Sequence, residues 1–135
     1  MGFFLFALLQ RFAPLAEARG DADRAACYRA HCGALREALE DQAWDGAWYR
    51  RAYYDDGTPL GTHSATECRI DGLAQAWSVL SAAVAPERAR QAMASAATQL
   101  VDERHDLIRL LTPPDRKSTR LNSSHIQKSR MPSSA

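Results

Sequence analysis

The residues best equipped for chemistry lie between Trp44 and Trp77, which hold all three tryptophans and three of the four tyrosines. The stretch reads WDGAWYRRAYYDDGTPLG and then THSATECRIDGLAQAW, a dense mixture of Arg, Asp and aromatic side chains. Flat aromatic faces cover the apolar side of a pyranose, and Arg and carboxylates hydrogen-bond its hydroxyls. That composition suits a polar loop presenting itself to a sugar-like ligand, without requiring one. Trp44, Asp45, Gly46 and Trp48 read equally well as a structural turn, with Asp45 accepting backbone amides and Gly46 at positive φ. Arg51 and Tyr53 alternate with Arg50 and Ala52 in a segment of strand character. Asp55, Asp56 and Gly57 then make a hairpin turn, with Thr58 to Gly61 as the returning arm.

A catalytic pair does not emerge from the local spacing. Asp55 and Asp56 are adjacent, so in an extended segment they point to opposite faces and cannot flank one glycosidic bond. Glu67 stands alone ahead of a helix start near Arg69, and a capping or ion-pair role is the expectation for it. His63 sits in a Gly/Thr/Ser loop with no orienting partner nearby in sequence. Neither Ser64 nor Ser78 lies in a nucleophile elbow. Cys27, Cys32 and Cys68 form no CxxC and no His/Cys cluster, so no metal site is expected and all three read as reduced thiols.

The elements that must carry this stretch are helical. Gly2 to Arg19 has an apolar run, Phe3, Phe4, Leu5, Phe6, Leu8 and Leu9, that expects cover on more than one side, with Pro14 kinking it or starting a new turn. Gly20 stops it, and Asp21 or Asp23 caps the next helix. From Ala22 to Gln42, Tyr28, Cys32, Leu35 and Leu39 make one apolar stripe. Ile70, Leu73, Trp77 and Leu80 predict a third helix with Asp71 in its first turn. Pro86 opens a fourth, whose inner face is Met93, Ala96, Ala97 and Leu100. Asp106 to Leu111 reads as a short strand or a helix end. The expected architecture is all-α: two antiparallel helix pairs joined by a short β-hairpin-like connection, with one small β element at most.

At 135 residues, 46% hydrophobic and 24% charged, the chain has the composition of one small domain or part of a larger one. The start, MGFFLFALLQRF, lacks the basic region and cleavage site of a signal peptide, and its apolar run is too short to span a bilayer. We read it as a buried helix in a cytoplasmic segment with no direct membrane contact. The formal charge of +1 mixes two unlike regions. Residues 1–114 contain no lysine and no asparagine, whereas 115–135 bring five basic residues against Asp115 alone. Without that tail the body is acidic, near −3, which removes the compositional support for nucleic acid binding. The tail, DRKSTRLNSSH through SRMPSSA, resembles the translation of a sequencing adapter. We expect 115–135 to be non-native and disordered, and exclude it from fold reasoning.

WDGAWYRRAYYDDGTPLG followed by ATECRIDGLAQAW resembles the catalytic domain of glycoside hydrolase family ninety-four, also catalogued as glycosyltransferase family thirty-six. It is most similar to the variety that forms the phosphorylase-like C-terminal domain of cyclic β-1,2-glucan synthases. The resemblance runs from about Gly2 to Pro114, and its most specific parts are Trp48, Arg51, Ala52, Tyr53 and Gly57, then Glu67, Ile70, Gln75 and Trp77. It implies that residues 1–114 are part of an (α/α)₆ toroid that makes or phosphorolyses β-linked glucan. Inorganic phosphate would be the co-substrate, with no other cofactor. The parent would be a cytoplasmic enzyme or a domain of an inner-membrane-anchored bacterial one. The family's proton-donating aspartate lies in a Trp-Asn-Asp-Gly motif, which this chain lacks and which family order places ahead of Met1. Its phosphate-binding His and Thr-Gly elements are expected after Pro114. No catalytic residue therefore carries over, and the chain alone is expected to be inactive. Trp48, Arg51, Tyr53, Asp56 and Glu67 are the expected substrate-facing or supporting residues. A wedge cut from such a ring would expose Phe3, Phe4 and Phe6. The competing readings are a helical protein-interaction module and a different α/α-toroid sugar enzyme such as an epimerase.

Overall fold

A computed structural model describes residues 2–114, so the expectation of a non-native tail falls outside the described residues. Helix α1 spans Gly2–Ala18 and passes through Pro14 without ending. Gly20, at φ 78°, turns the chain, and the amide of Asp21 closes back on Ala16 O at 2.9 Å. The Asp21 carboxylate then caps α2 (Ala22–Ala38) by accepting from the Arg24 amide at 3.0 Å. The two helices form a tight antiparallel hairpin. The stripe of Tyr28, Cys32, Leu35 and Leu39 is the half-buried to buried side of the second one. A π-helical turn, Leu39–Ala43, ends it.

The second hairpin is α3 (Gly72–Leu80) and α4 (Pro86–Leu100). Asp71 caps α3, its Oδ1 accepting from the amides of Leu73 at 2.9 Å and Ala74 at 3.2 Å. Pro86 occupies the first turn of α4, where a missing N–H costs nothing. Both inner faces differ from the sequence expectation. On α3 the fully buried side chains are Gln75 and Ser78, while Leu73 and Leu80 are exposed. The helix is rotated because the Gln75 amide is needed inside to pair with backbone groups. On α4 the buried series is Ala89, Ala92, Ala96 and Leu100, with Met93 and Ala97 outward. Alanines at that spacing bring the helix close to its neighbours.

The protein is mostly helical, but it holds more β structure than the single element expected. Among the described residues three two-stranded antiparallel pairs occur: β1 (Ala52–Tyr53) with β2 (Pro59–Leu60), β3 (Ile70–Asp71) with β6 (Leu111–Thr112), and β4 (Val101–Asp102) with β5 (Leu107–Ile108). The β3–β6 pair ties the chain after α4 back to the start of α3. The expected hairpin around Asp55–Gly57 is present, with Gly57 at φ 83°.

The core gathers Phe3, Phe6, Leu39, Trp48, Tyr49, Ile70 and Leu100. Tyr49 is fully buried, meeting Phe3 and Trp44 edge-to-face at 5.1 and 4.9 Å. Phe3 and Phe6 are thus buried rather than exposed, correcting the expectation for them. Phe4 is exposed as expected, together with Leu8, Phe12 and Leu15. Among the described residues no helix is long and apolar enough to cross a membrane.

Candidate functional site

The polar connection between the helix pairs is built around one carboxylate. Asp45 begins a tight turn closed by its own amide on Trp48 O at 2.9 Å, and its side chain is 1% exposed. Arg50 donates to its Oδ1 from Nε and Nη2 at 3.0 and 2.8 Å. Thr62 Oγ1 reaches it at 2.9 Å. From His63 it accepts both the backbone amide, at 2.7 Å, and the ring Nδ1, at 2.8 Å. Burial pushes the Asp45 carboxyl pKa up, but the combined hydrogen bonds from His63, Arg50 and Thr62 outweigh that and hold it below the ordinary carboxylate range. From outside the turn, α4 fixes it through Gln91 to Gly46 O at 3.1 Å and Ser95 to Ala47 O at 2.9 Å. His63 therefore has an orienting partner after all. Its ring is largely exposed, with Nδ1 held by the Asp45 carboxylate.

A second buried carboxylate fixes the hairpin. Arg51 donates from Nη1 to Asp71 Oδ2 at 2.6 Å, the same Asp71 that caps α3. Asp71 is 1% exposed and Arg51 40% exposed along their side chains, so the guanidinium is pinned at one end and open at the other. Gly61 lets β2 lie close behind it: at φ 87°, an added Cβ would sit 2.8 Å from the Arg51 amide nitrogen. Below both carboxylates, Gln75 accepts the Tyr49 amide at 2.8 Å and donates to Tyr49 O and Asp71 O, both at 2.9 Å.

Arg51, Tyr53 and Asp71 line a cleft of about 650 Å³. Phe4 from α1, Gln42 from the π-helical turn, Arg50 from the connection, and Leu73 and Trp77 from α3 also line it. Trp77 packs edge-to-face on Phe4 at 5.1 Å. The Tyr53 hydroxyl donates to Gln42 O, and Arg50 Nη1 spans the same carbonyl at 3.0 Å and Tyr53 Oη at 3.1 Å.

The expected site residues are thereby separated. Arg51 and Tyr53 share the cleft. Trp48 is buried, its Nε1 donating to Gly61 O and Arg69 O at 3.0 Å each. The indole is a strut inside the loop, the supporting alternative of the expectation for it. Asp56 is exposed and accepts the Thr58 amide at 2.8 Å, which, together with the Thr58 hydroxyl, holds its pKa down. It shapes the hairpin tip. Glu67 is half-buried and, among the described residues, makes neither the cap nor the ion pair expected of it; Asp71 caps α3. Sequence reasoning missed the Asp45–His63 pair and the roles of Asp71 and Gln75, because their partners lie 18 to 26 residues away. Among the described residues no group of three or more His, Cys, Asp or Glu could hold a metal ion.

Residues 1–131 match the model of the glycosyl hydrolase 94 superfamily, catalytic domain. The chain belongs to this family. Among curated relatives it is 48% identical over 114 residues to the cyclic β-(1,2)-glucan synthase NdvB of Rhizobium meliloti (strain 1021), a match over 84% of this chain and 4% of the relative. It is 36% identical over 95 residues to the N,N'-diacetylchitobiose phosphorylase of Vibrio furnissii, covering 69% of this chain and 12% of that protein. Over 87 residues it is 32% identical to the 3-O-β-D-glucopyranosyl-β-D-glucuronide phosphorylase of Paenibacillus borealis, covering 64% and 11%. The chain thus spans only 4 to 12% of the length of these relatives. Within the glycosyl hydrolase 94 domain it is a mostly helical piece whose best-anchored feature is the doubly carboxylate-pinned connection.

Proposed function

We propose that this chain is a portion of a carbohydrate-active catalytic domain that makes or phosphorolyses β-linked glucan, of the cyclic β-1,2-glucan synthase type. Its four helices are consecutive members of an (α/α)₆ toroid, and the connection from Asp45 to Asp71 is its sugar-side surface. The observation that carries this reading is the 48% identity over 114 residues, which runs through that connection. The exposed apolar residues of α1, Phe4, Leu8, Phe12 and Leu15, support a setting among further helices. The parent acts in the cytoplasm with inorganic phosphate as co-substrate. Proton donation belongs to a Trp-Asn-Asp motif that this sequence does not contain, so the chain alone has no turnover.

The test is phosphate-dependent release of glucose 1-phosphate from β-1,2-glucooligosaccharides, measured for this chain and for the product of the intact gene. The intact product is expected to turn over and this chain to stay at blank. Turnover by the chain refutes its inactivity. An intact gene encoding some other domain across residues 1–114 refutes the whole reading.

A further inference from the structure

We infer that Arg88, on α4, is a positioning residue for Arg50 and Tyr53, acting through the π-helical turn Leu39–Ala43, whose carbonyl oxygens all three side chains cap. The link is mechanical and holds whatever ligand the connection meets.

A helix end leaves carbonyls with no partner inside the helix, together with a partial negative charge that cations satisfy. Here separate elements supply the partners. Arg88 Nη1, from α4, donates to Glu40 O at 2.8 Å. Gln42 O accepts from Arg50 Nη1 at 3.0 Å and from the Tyr53 hydroxyl. Ala43 O accepts the Arg50 amide at 2.7 Å. Among the described residues no hydrogen bond or ion pair joins Arg88 directly to Arg50 or Tyr53. What they share is one short turn.

The grip on Glu40 is firm because it takes both backbone and side chain. Arg88 Nη1 also reaches Oε2, and the Ala85 amide, at the start of α4, donates to Oε1 at 2.6 Å. The Arg88 guanidinium lies 5.2 Å from the centroid of the Trp44 ring, which itself packs on Tyr49. A half-exposed ion pair taken alone contributes little. The weight of Arg88 lies in the backbone it fixes. Single π-helical turns are rare and cluster at functional positions. This one sets Glu40 against α4 and the Gln42 carbonyl against the hairpin. Rewinding it towards α-helical geometry would turn that carbonyl away from Tyr53 and Arg50. Arg50 would pass the displacement on, since its Nε and Nη2 hold the buried Asp45 carboxylate.

The test uses the whole chain and NMR of two reporters: the Arg50 side-chain Nε–H shift and the exchange rate of the Arg50 amide. Arg88→Ala should move the first and speed the second about fivefold, as loss of one hydrogen bond predicts. Arg88→Lys, which keeps the charge and a donor, should restore most of both. Arg90→Ala removes a similar charge from the exposed side of α4 and should leave both unchanged. Tyr53→Phe should lower the folding constant about fivefold in the parent chain. In the Arg88→Ala background it should do so by less than about twofold, because the carbonyl it addresses has already moved. Unmoved Arg50 reporters in Arg88→Ala overturn the inference. So do equal effects from Arg90→Ala, or an additive Tyr53→Phe. Should Arg88→Ala fail to fold, Glu40→Gln weakens the carboxylate arm of the same clamp, and reporters that stay in place there overturn it equally.

Discussion

The α1–α2 hairpin and the connection from Trp44 to Asp71 are held by different forces. Between the helices the buried contacts are mainly apolar, Phe3 and Phe6 on one side and Cys32, Leu35 and Leu39 on the other, with the Arg29–Glu17 ion pair at 2.6 Å on the exposed edge. Such packing is non-directional and tolerates repacking at moderate cost. The connection has few apolar anchors beyond Trp48 and Tyr49. It is fixed by Asp45, Asp71 and Gln75, each buried at its functional end and each holding two or more partners. Buried polar groups bind firmly when satisfied and penalise heavily when one partner is lost. A surface that must hold its shape for a ligand is thus anchored by the less forgiving kind of contact, and the helices around it by the more forgiving kind.

Breaking that contrast at its centre should have the largest effect. Asp45→Ala removes the acceptor for Arg50, Thr62 and His63 at once, and should cost about 3–5 kcal/mol in urea unfolding, the range for stripping one partner from a buried pair. A loss below that of a core truncation such as Leu35→Ala would show the connection to be the softer region. Gln75→Leu keeps the volume but leaves the Tyr49 amide, Tyr49 O and Asp71 O unpaired, and should cost about 2–3 kcal/mol by the same measurement.

Acid should find the connection before the helices. The Asp45 pKa is depressed in the folded state, so its contribution is fully present above the ordinary carboxylate value. It is lost as pH falls through the folded value. Below about pH 4, amide exchange at Thr62 and His63 should rise while that in α2 stays protected, and Asp45→Ala should erase the difference. The smallest effect sharpens the other side of the comparison. Leu8→Gln on the exposed face of α1 should change stability by less than about 0.5 kcal/mol while raising solubility in a concentration series. A large destabilisation there would mean the face is packed in solution.

Much of the frame was legible because it is written in local spacing. The α2 stripe, the Asp21 cap, Pro86 at the start of α4 and the hairpin turn at Asp55–Gly57 all depend on residues within four positions of one another. The rotation of α3 was misread for a related reason. Its apolar residues advertise one face, but the Gln75 amide is required inside, and nothing near it in sequence says so. Glu67 shows the converse: a carboxylate well placed to cap by position, passed over in favour of Asp71.

The sequence by itself determined the helices, their ends and the family to which they belong, since backbone hydrogen bonds of a helix or tight turn close within a few residues. Only the tertiary structure decided that Asp45 would hold His63 across 18 residues, Asp71 would hold Arg51 across 20 and Gln75 would hold Tyr49 across 26. Those pairings form when the closing chain excludes water, and it is the exclusion, not the spacing, that makes a carboxylate choose its partner.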